Sequence, residues 1–226
     1  MVERTGSTNA DLLADNAVAE GDWLVALEQE AGRGRQGRSW IGASGNFFGS
    51  TMVELAPSDP PAATLSMAAG VALIRAVEAA APATGLMLKW PNDLLMGRGK
   101  LAGILLERSG DRLVAGFGVN LARAPAVPER ETACLASVAL VTPQGFAPLL
   151  AGAFARALDL WRSEHPRLMS SWFESAHPVG TPLHVHAGPA ETAEGEFAGI
   201  DLDGALRLRL ADGSTRVIHA ADVSLV

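Results

Sequence analysis

The sequence predicts a mixed α/β (α+β) protein: a largely antiparallel sheet with flanking helices, followed by a small all-β module. Three observations carry that prediction. Residues 86 to 120 are apolar runs separated by tight turns, Gly97-Arg98-Gly99 and Ser109-Gly110-Asp111, and read as consecutive hairpins buried on both sides. Two stretches, Pro60 to Ala81 and the one opened by Thr142-Pro143, carry apolar residues at helical spacing. From Gly180 the texture changes to short β-rich runs split by Asp203-Gly204 and Asp212-Gly213, both strong hairpin dipeptides. The expected domains are therefore 1–179 and 180–226. The second is near the lower limit for independent folding, so it should dock on the first.

Composition narrows the class. A chain of 226 residues with 48% hydrophobic and 19% charged residues is an ordinary core-forming chain, with room for one sizeable domain and an appendage. A net charge of −7 argues against nucleic acid as the main partner. The single cysteine, Cys134, excludes an intrachain disulfide framework and a cysteine-only metal cluster, and reads as a small apolar filler. No apolar run is long and uninterrupted enough to span a bilayer, and Met1-Val2-Glu3-Arg4 lacks the core of a signal peptide. A cytoplasmic protein with no membrane partner is expected.

In chain order, Ser7-Thr8-Asn9 precedes a short helix over Ala10 to Ala19, with Ser7 or Thr8 as N-cap. Trp23 to Gln29 and Phe47 to Leu55 read as strands. The Pro60 to Ala81 helix presents a face of small residues, Ala68, Ala69, Ala72 and Ala76, suited to packing on a sheet. Leu86 to Trp90 is a strand stopped by Pro91, with Asn92-Asp93 as a turn. Lys100 to Glu107 and Leu113 to Asn120 follow as strands, whereas residues 122 to 141 show no readable element. Thr142 is an N-cap and Pro143 an N1 proline for a helix whose face holds Phe146, Leu150, Phe154, Leu158 and Trp161. A second short helix follows Pro166.

One loop stands apart from this acidic, aliphatic background. Gly32-Arg33-Gly34-Arg35-Gln36-Gly37-Arg38-Ser39-Trp40 holds three glycines and three arginines. Glycine lets backbone approach a ligand, and arginine presents a donor fork suited to phosphate or carboxylate. The loop therefore predicts an anion site that orders on binding. Residues 32 to 37 also match G-x-G-x-x-G, but Gly37 opens no helix, so a dinucleotide fingerprint is rejected. No Gly-Lys-Ser/Thr follows, which removes the Walker loop. His184-x-His186 puts two imidazoles on one strand face; without further ligands nearby they read as structural or exposed.

Five segments, taken together and in order, resemble a known family: Ser7-Thr8-Asn9; Gln29 with the 32–40 loop; Lys89-Trp90-Pro91-Asn92-Asp93; Lys100-Leu101-Ala102-Gly103-Ile104-Leu105-x-Glu107; and Gly116-x-Gly118-x-Asn120. The whole chain resembles the catalytic and C-terminal domains of bacterial biotin–protein ligases (biotin–[acetyl-CoA-carboxylase] ligases), of the monofunctional type without an N-terminal DNA-binding domain. That resemblance implies a class II synthetase-like domain with a C-terminal SH3-like β-barrel. It also implies a two-step acyl transfer. Biotin and ATP, with Mg2+, give biotinyl-5′-AMP, and a lysine of a biotin carboxyl carrier protein then takes the biotin.

By matched position, the resemblance assigns Ser7, Thr8, Asn9, Gln29, Gly32, Arg33, Gly34, Arg35, Lys100 and Gly103 to biotin. It assigns Arg33, Arg35, Arg38, Trp40, Lys89, Asn92 and Asn120 to ATP and adenylate. Lys100, Arg35 and Asp93 are the catalytic candidates, with Mg2+ carried mainly by ATP and Asp93 its nearest candidate neighbour. Two departures stand out: Gln36 replaces a residue often arginine in the family, and the strand before Ser7 is reduced to a stub. Lipoate or octanoyl transfer and a biotin-sensing module without turnover are the competing readings. Edge strands leave open pairing with a second copy as a homodimer, or with the carrier.

Overall fold

The computed structural model describes residues 1–82, 85–128, 131–188 and 191–225. Its main sheet is built from β1 (Val2–Thr5), β2 (Trp23–Gln29), β3 (Phe47–Glu54), β4 (Leu86–Lys89), β5 (Asp93–Met96), β6 (Gly99–Ser109) and β7 (Arg112–Val119). The order is β1-β2-β3-β7-β6-β5-β4; β1 and β2 run parallel and every other neighbouring pair is antiparallel.

Strand alternation sends successive side chains to opposite faces. Leu113, Ala115, Phe117 and Val119 of β7 enter the main core with α2 (Leu65–Ala80), α3 (Pro143–Ser163) and α4 (His165–Glu174). Val114 points the other way and packs with Met52 and with Leu12 of α1 (Thr8–Ala14). On that second face Gly116 and Gly118 continue the row without side chains, and there the site forms. The expected helical face of α2 is buried from Leu65 to Val77. Ala62–Ala80 is long and apolar enough to cross a membrane, yet 72% of its most apolar window is buried inside the molecule.

Three expectations are corrected. The first helix starts at Thr8 and ends at Ala14, so Thr8 and Asn9 lie within it. Ser7 is its N-cap, with Ala10 N–H 3.5 Å from Ser7 Oγ. It stops early because Asp15 turns extended and Arg112 supplies donors to the carbonyls of Leu12, Leu13 and Asp15. Asp93 opens β5 opposite Lys89 rather than completing a turn. The N-terminal stub forms a true strand, with Arg4 opposite Glu28.

The small sheet contains β8 (Pro182–Gly188), β9 (Glu191–Ile200), β10 (Leu206–Arg209), β11 (Thr215–Ile218) and β12 (Asp222–Leu225), in the order β11-β10-β9-β8-β12. Gly204 and Gly213 take the left-handed turns that the Asp-Gly pairs predicted (φ 85° and 84°). Among the described residues no ladder joins β11 to β12, so the sheet is open where a barrel was expected. It docks on the main body as predicted. Trp90 Nε1 donates to Gly204 O at 2.8 Å, and the rings of Phe173 and Phe197 stack 6.1 Å apart. His184 and His186 alternate with buried Leu183 and Val185 and lie on the outer face. Among the described residues no group of three acidic, histidine or cysteine ligands could hold a metal.

Candidate active site

A cavity of about 380 Å³ opens on the α1 side of the main sheet. Its wall includes every predicted site residue except Gly32, whose carbonyl instead accepts from Trp40 N–H at 2.9 Å and closes the loop. The floor is a stripe of glycines. A Cβ at Gly103 or Gly118 would overlap the Trp40 ring, and one at Gly116 would overlap the Asn9 carboxamide. Glycine is therefore required here by close approach.

At one end the polar groups are neutral and buried. Thr8 donates its backbone N–H to Gln29 Oε1 at 2.8 Å, and its hydroxyl lies 3.1 Å from the same oxygen. The Thr8 hydroxyl is also 2.6 Å from Ser50 Oγ, which donates to Asn9 Oδ1 at 2.6 Å; Asn9 Nδ2 donates to Leu105 O at 3.2 Å. Because a backbone N–H can only donate, the Gln29 atom facing it is the oxygen. The Gln29 amide nitrogen is left as a donor toward the cavity.

The other end is charged. Asp93 is buried between two cations, with Lys100 Nζ 2.6 Å from one oxygen and Lys89 Nζ 3.2 Å from the other. Burial alone would raise its pKa, but Lys100 and then Lys89 outweigh it and hold the carboxyl below its ordinary value. Lys89 also donates to Val223 O at 2.9 Å. Lys100 lies 5.3 Å from the centroid of the Trp40 ring, a cation–π contact. Trp40 Nε1 is buried without an acceptor.

The arginine loop is folded on itself and on the small sheet. Gly34 N–H donates to Arg38 O at 2.7 Å, Arg33 bridges to Ser39, and Gln36 takes a left-handed conformation (φ 55°). Arg38 donates to both oxygens of Asp222 at 2.7 Å, and Arg35 donates to Ala221 O at 3.1 Å. Burial lowers the Arg35 pKa below its ordinary value, opposed by Asp222 and Asp93. Arg33 reaches Glu107 at 3.4 Å and is mostly exposed.

Asn92 and Asn120, also on the wall, have backbone partners. Asn92 donates to Ile104 O at 2.6 Å. Asn120 donates to Lys100 O and Ala133 O, and its own oxygen accepts from Asn46. They fix the backbone around Lys100 and Asp93. Sequence reasoning missed Ser50, Asn46 and Asp222. For Ser50 a signal existed, the polar pair Ser50-Thr51 inside the mostly apolar Phe47 to Val53 run, which must find partners once buried. For Asp222 there was none.

A cavity with a buried amide-and-hydroxyl end and a lysine–arginine end suits a substrate with both a neutral polar group and an anionic group. Residues 1–121 match the model of the biotin/lipoate A/B protein ligase family, and residues 184–226 that of the biotin protein ligase C-terminal domain. The chain belongs to this ligase family. Within it, the chain is similar to a biotin–[acetyl-CoA-carboxylase] ligase of Paracoccus denitrificans, 40% identical over 99% of this chain and 98% of that protein. A second such ligase, from Mycobacterium tuberculosis, is 35% identical over 99% of this chain and 87% of its own length. Among solved structures, a biotin protein ligase of Aquifex aeolicus in complex with biotin and ATP covers 100% of this chain and 97% of its own, with a TM-score of 0.87. At 21% identity that last likeness speaks to the ligase fold alone.

Proposed function

We propose that this chain is an ATP-dependent biotin–protein ligase. It forms biotinyl-5′-AMP from biotin and ATP, then transfers biotin to a lysine of a biotin carboxyl carrier protein. The observation that carries the reading is the division of one cavity into a neutral and a cationic end, joined by the glycine floor. Gln29, Thr8, Ser7 and Asn9 take the ureido ring, which needs donors and acceptors but no charge. Lys100 and Arg35 face the carboxylate and α-phosphate, with Arg33 and Arg38 along the phosphates and Trp40 beside the nucleotide.

No protein nucleophile is required. Biotin's carboxylate attacks the α-phosphorus and pyrophosphate leaves; the carrier amine then attacks the acyl carbon and AMP leaves. The protein's contribution is to hold reactants together and to place positive charge where negative charge develops. The acidic groups at the site are already engaged, Asp93 by two lysines and Asp222 by Arg38, so the residues present do not form a resident metal site. Mg2+ belongs to the reaction as part of the Mg-ATP substrate.

The carrier and a second copy of the chain share one candidate surface. The β4 edge of the main sheet is capped, with Leu88 N–H donating to Ser175 O at 2.7 Å, whereas β1 is exposed. Residues 1–179 act as the catalytic domain, residues 180–226 supply Asp222 and Val223 to its wall, and the cytoplasm is the compartment where carrier and ATP meet.

The test is the intact mass of a purified biotin carboxyl carrier domain after incubation with this protein, biotin and Mg-ATP. A gain of one biotinyl group that requires ATP is expected. Transfer of lipoate but not biotin would move the chain to the other branch of its family. Biotin binding without pyrophosphate release would make it a sensing module.

A further inference from the structure

The chain has sixteen arginines but only two lysines, and both lysines line the cavity described above. Composition accounts for a shortage of lysine but not for where the two retained ones sit. Lys100 and Lys89 share a single counter-ion, the buried carboxylate of Asp93, at 2.6 and 3.2 Å. Their side chains are 24% and 17% exposed, so small molecules in the cavity can reach them. The other acidic group on the cavity wall, Asp222, is engaged by Arg38 and lies 3.7 Å from Arg35.

The proposed reaction, on which this inference rests, creates a mixed anhydride in that cavity. Any amine with a free electron pair can attack its acyl carbon. A C–N bond forms, the bond from acyl carbon to phosphate oxygen breaks, AMP leaves with the bonding electrons, and the amine's proton passes to solvent. Lys100 is the resident amine held closest to the acyl group in this reading. An ammonium ion, by contrast, has no electron pair to offer.

We propose that Asp93 keeps the enzyme from acylating itself: it holds both resident lysines as ammonium ions, so that the carrier's lysine is the amine that reacts. The lysine-free exterior removes targets for adenylate that escapes, leaving the Met1 amine. Without the carboxylate, two ammonium groups would share a poorly solvated space with no counter-ion, beside Arg35. Like charge and desolvation then favour loss of a proton from one of them, which creates a nucleophile. Asp93 is thus a specificity determinant that acts through the lysines.

The test supplies synthetic biotinyl-5′-AMP to the wild-type and Asp93→Asn proteins without carrier, and maps labelled residues by mass spectrometry. Supplying the adenylate separates this role from adenylate formation. The wild type should carry label at Met1 at most. The variant should gain label at Lys100 or Lys89 by about ten-fold or more, because the carboxylate that pairs with both amines is gone. Equal labelling of these lysines in both proteins overturns the role, as does a folded variant that binds the adenylate and stays unlabelled.

If Asp93→Asn does not fold, acetic anhydride on the wild type decides. Lys89 and Lys100 should be spared while Met1 reacts, and should react in urea; acetylation of Lys100 at the Met1 rate in the folded protein contradicts the role. Carrier biotinylation by the wild type, run alongside, reports on the ligase reading itself. Its failure with the label still gained would indict the carrier step and leave the role of Asp93 standing.

Discussion

The two ends of the cavity keep polar side chains out of bulk water in opposite ways. At the α1 end, Thr8, Asn9, Gln29 and Ser50 satisfy one another within the main sheet, and Thr8, Asn9 and Ser50 are almost fully buried. At the loop end, Arg35, Arg38 and Lys89 rest on acceptors borrowed from the small sheet, Ala221, Asp222 and Val223, and remain partly exposed. The neutral network leaves the Gln29 amide nitrogen as its spare donor, so it discriminates by shape and hydrogen-bond pattern. The charged end has partners that a phosphate can replace or join. One end is a mould and the other a set of held charges.

The sharpest way to break this contrast is at Lys100, where the two ends meet. Lys100→Met should lower kcat/KM by about 10²–10³-fold, the usual cost of removing one charge-stabilising donor at a reacting centre. Pyrophosphate exchange measures it, and near-normal exchange would remove Lys100 from the chemistry.

Next in size is Ser50→Ala, which leaves buried Asn9 Oδ1 and the Thr8 hydroxyl short of a partner. A cost of about 1–3 kcal/mol is expected, seen as a biotin KM raised about ten-fold with a lower Tm. Asp222→Ala removes the acceptor of the exposed Arg38 guanidinium and an ion-pair partner 3.7 Å from Arg35. Such pairs are each worth about 1 kcal/mol, so the ATP KM should rise about five-fold.

The smallest effect near neutrality concerns His177, next to the charged end. Burial, and then Lys89, lower its pKa to about 4, so it is neutral in the fold. An unfolded histidine titrates near about 6.5. Between those values the unfolded chain binds a proton that the folded one refuses, so stability falls on acidification from pH 6.5 to 4, by roughly 3 kcal/mol at the bottom. His177→Phe should flatten the Tm profile in that window; parallel profiles would contradict the assignment. Asp93, with its lowered pKa, gives stability that is kept throughout that window and lost only in stronger acid.

Legibility in the sequence followed the same divide. Trp23 to Gln29, the hairpins of 86 to 120, and the Thr142 cap with its Pro143 helix all rest on local patterns and stand as read. Asn92-Asp93 misled because a polar pair after proline looks like a turn, whereas the Lys89–Asp93 ion pair makes the aspartate a strand residue. The first helix misled because its end is set by Arg112, from a distant strand, rather than by Gly21. The glycines of the floor were visible as motif, yet what they make room for, Trp40 and Asn9, depends on how the loop and α1 fold back. Asp222 lies 184 residues from Arg38, and no local pattern could have joined them.

The division of labour is tested most directly by measuring both Michaelis constants, for biotin and for ATP, in Ser50→Ala and Asp222→Ala by pyrophosphate exchange. A crossed result is expected: Ser50→Ala raises the biotin KM alone, and Asp222→Ala raises the ATP KM alone. If both variants move the same constant, the cavity does not have two ends, and the assignment of biotin to the neutral one fails.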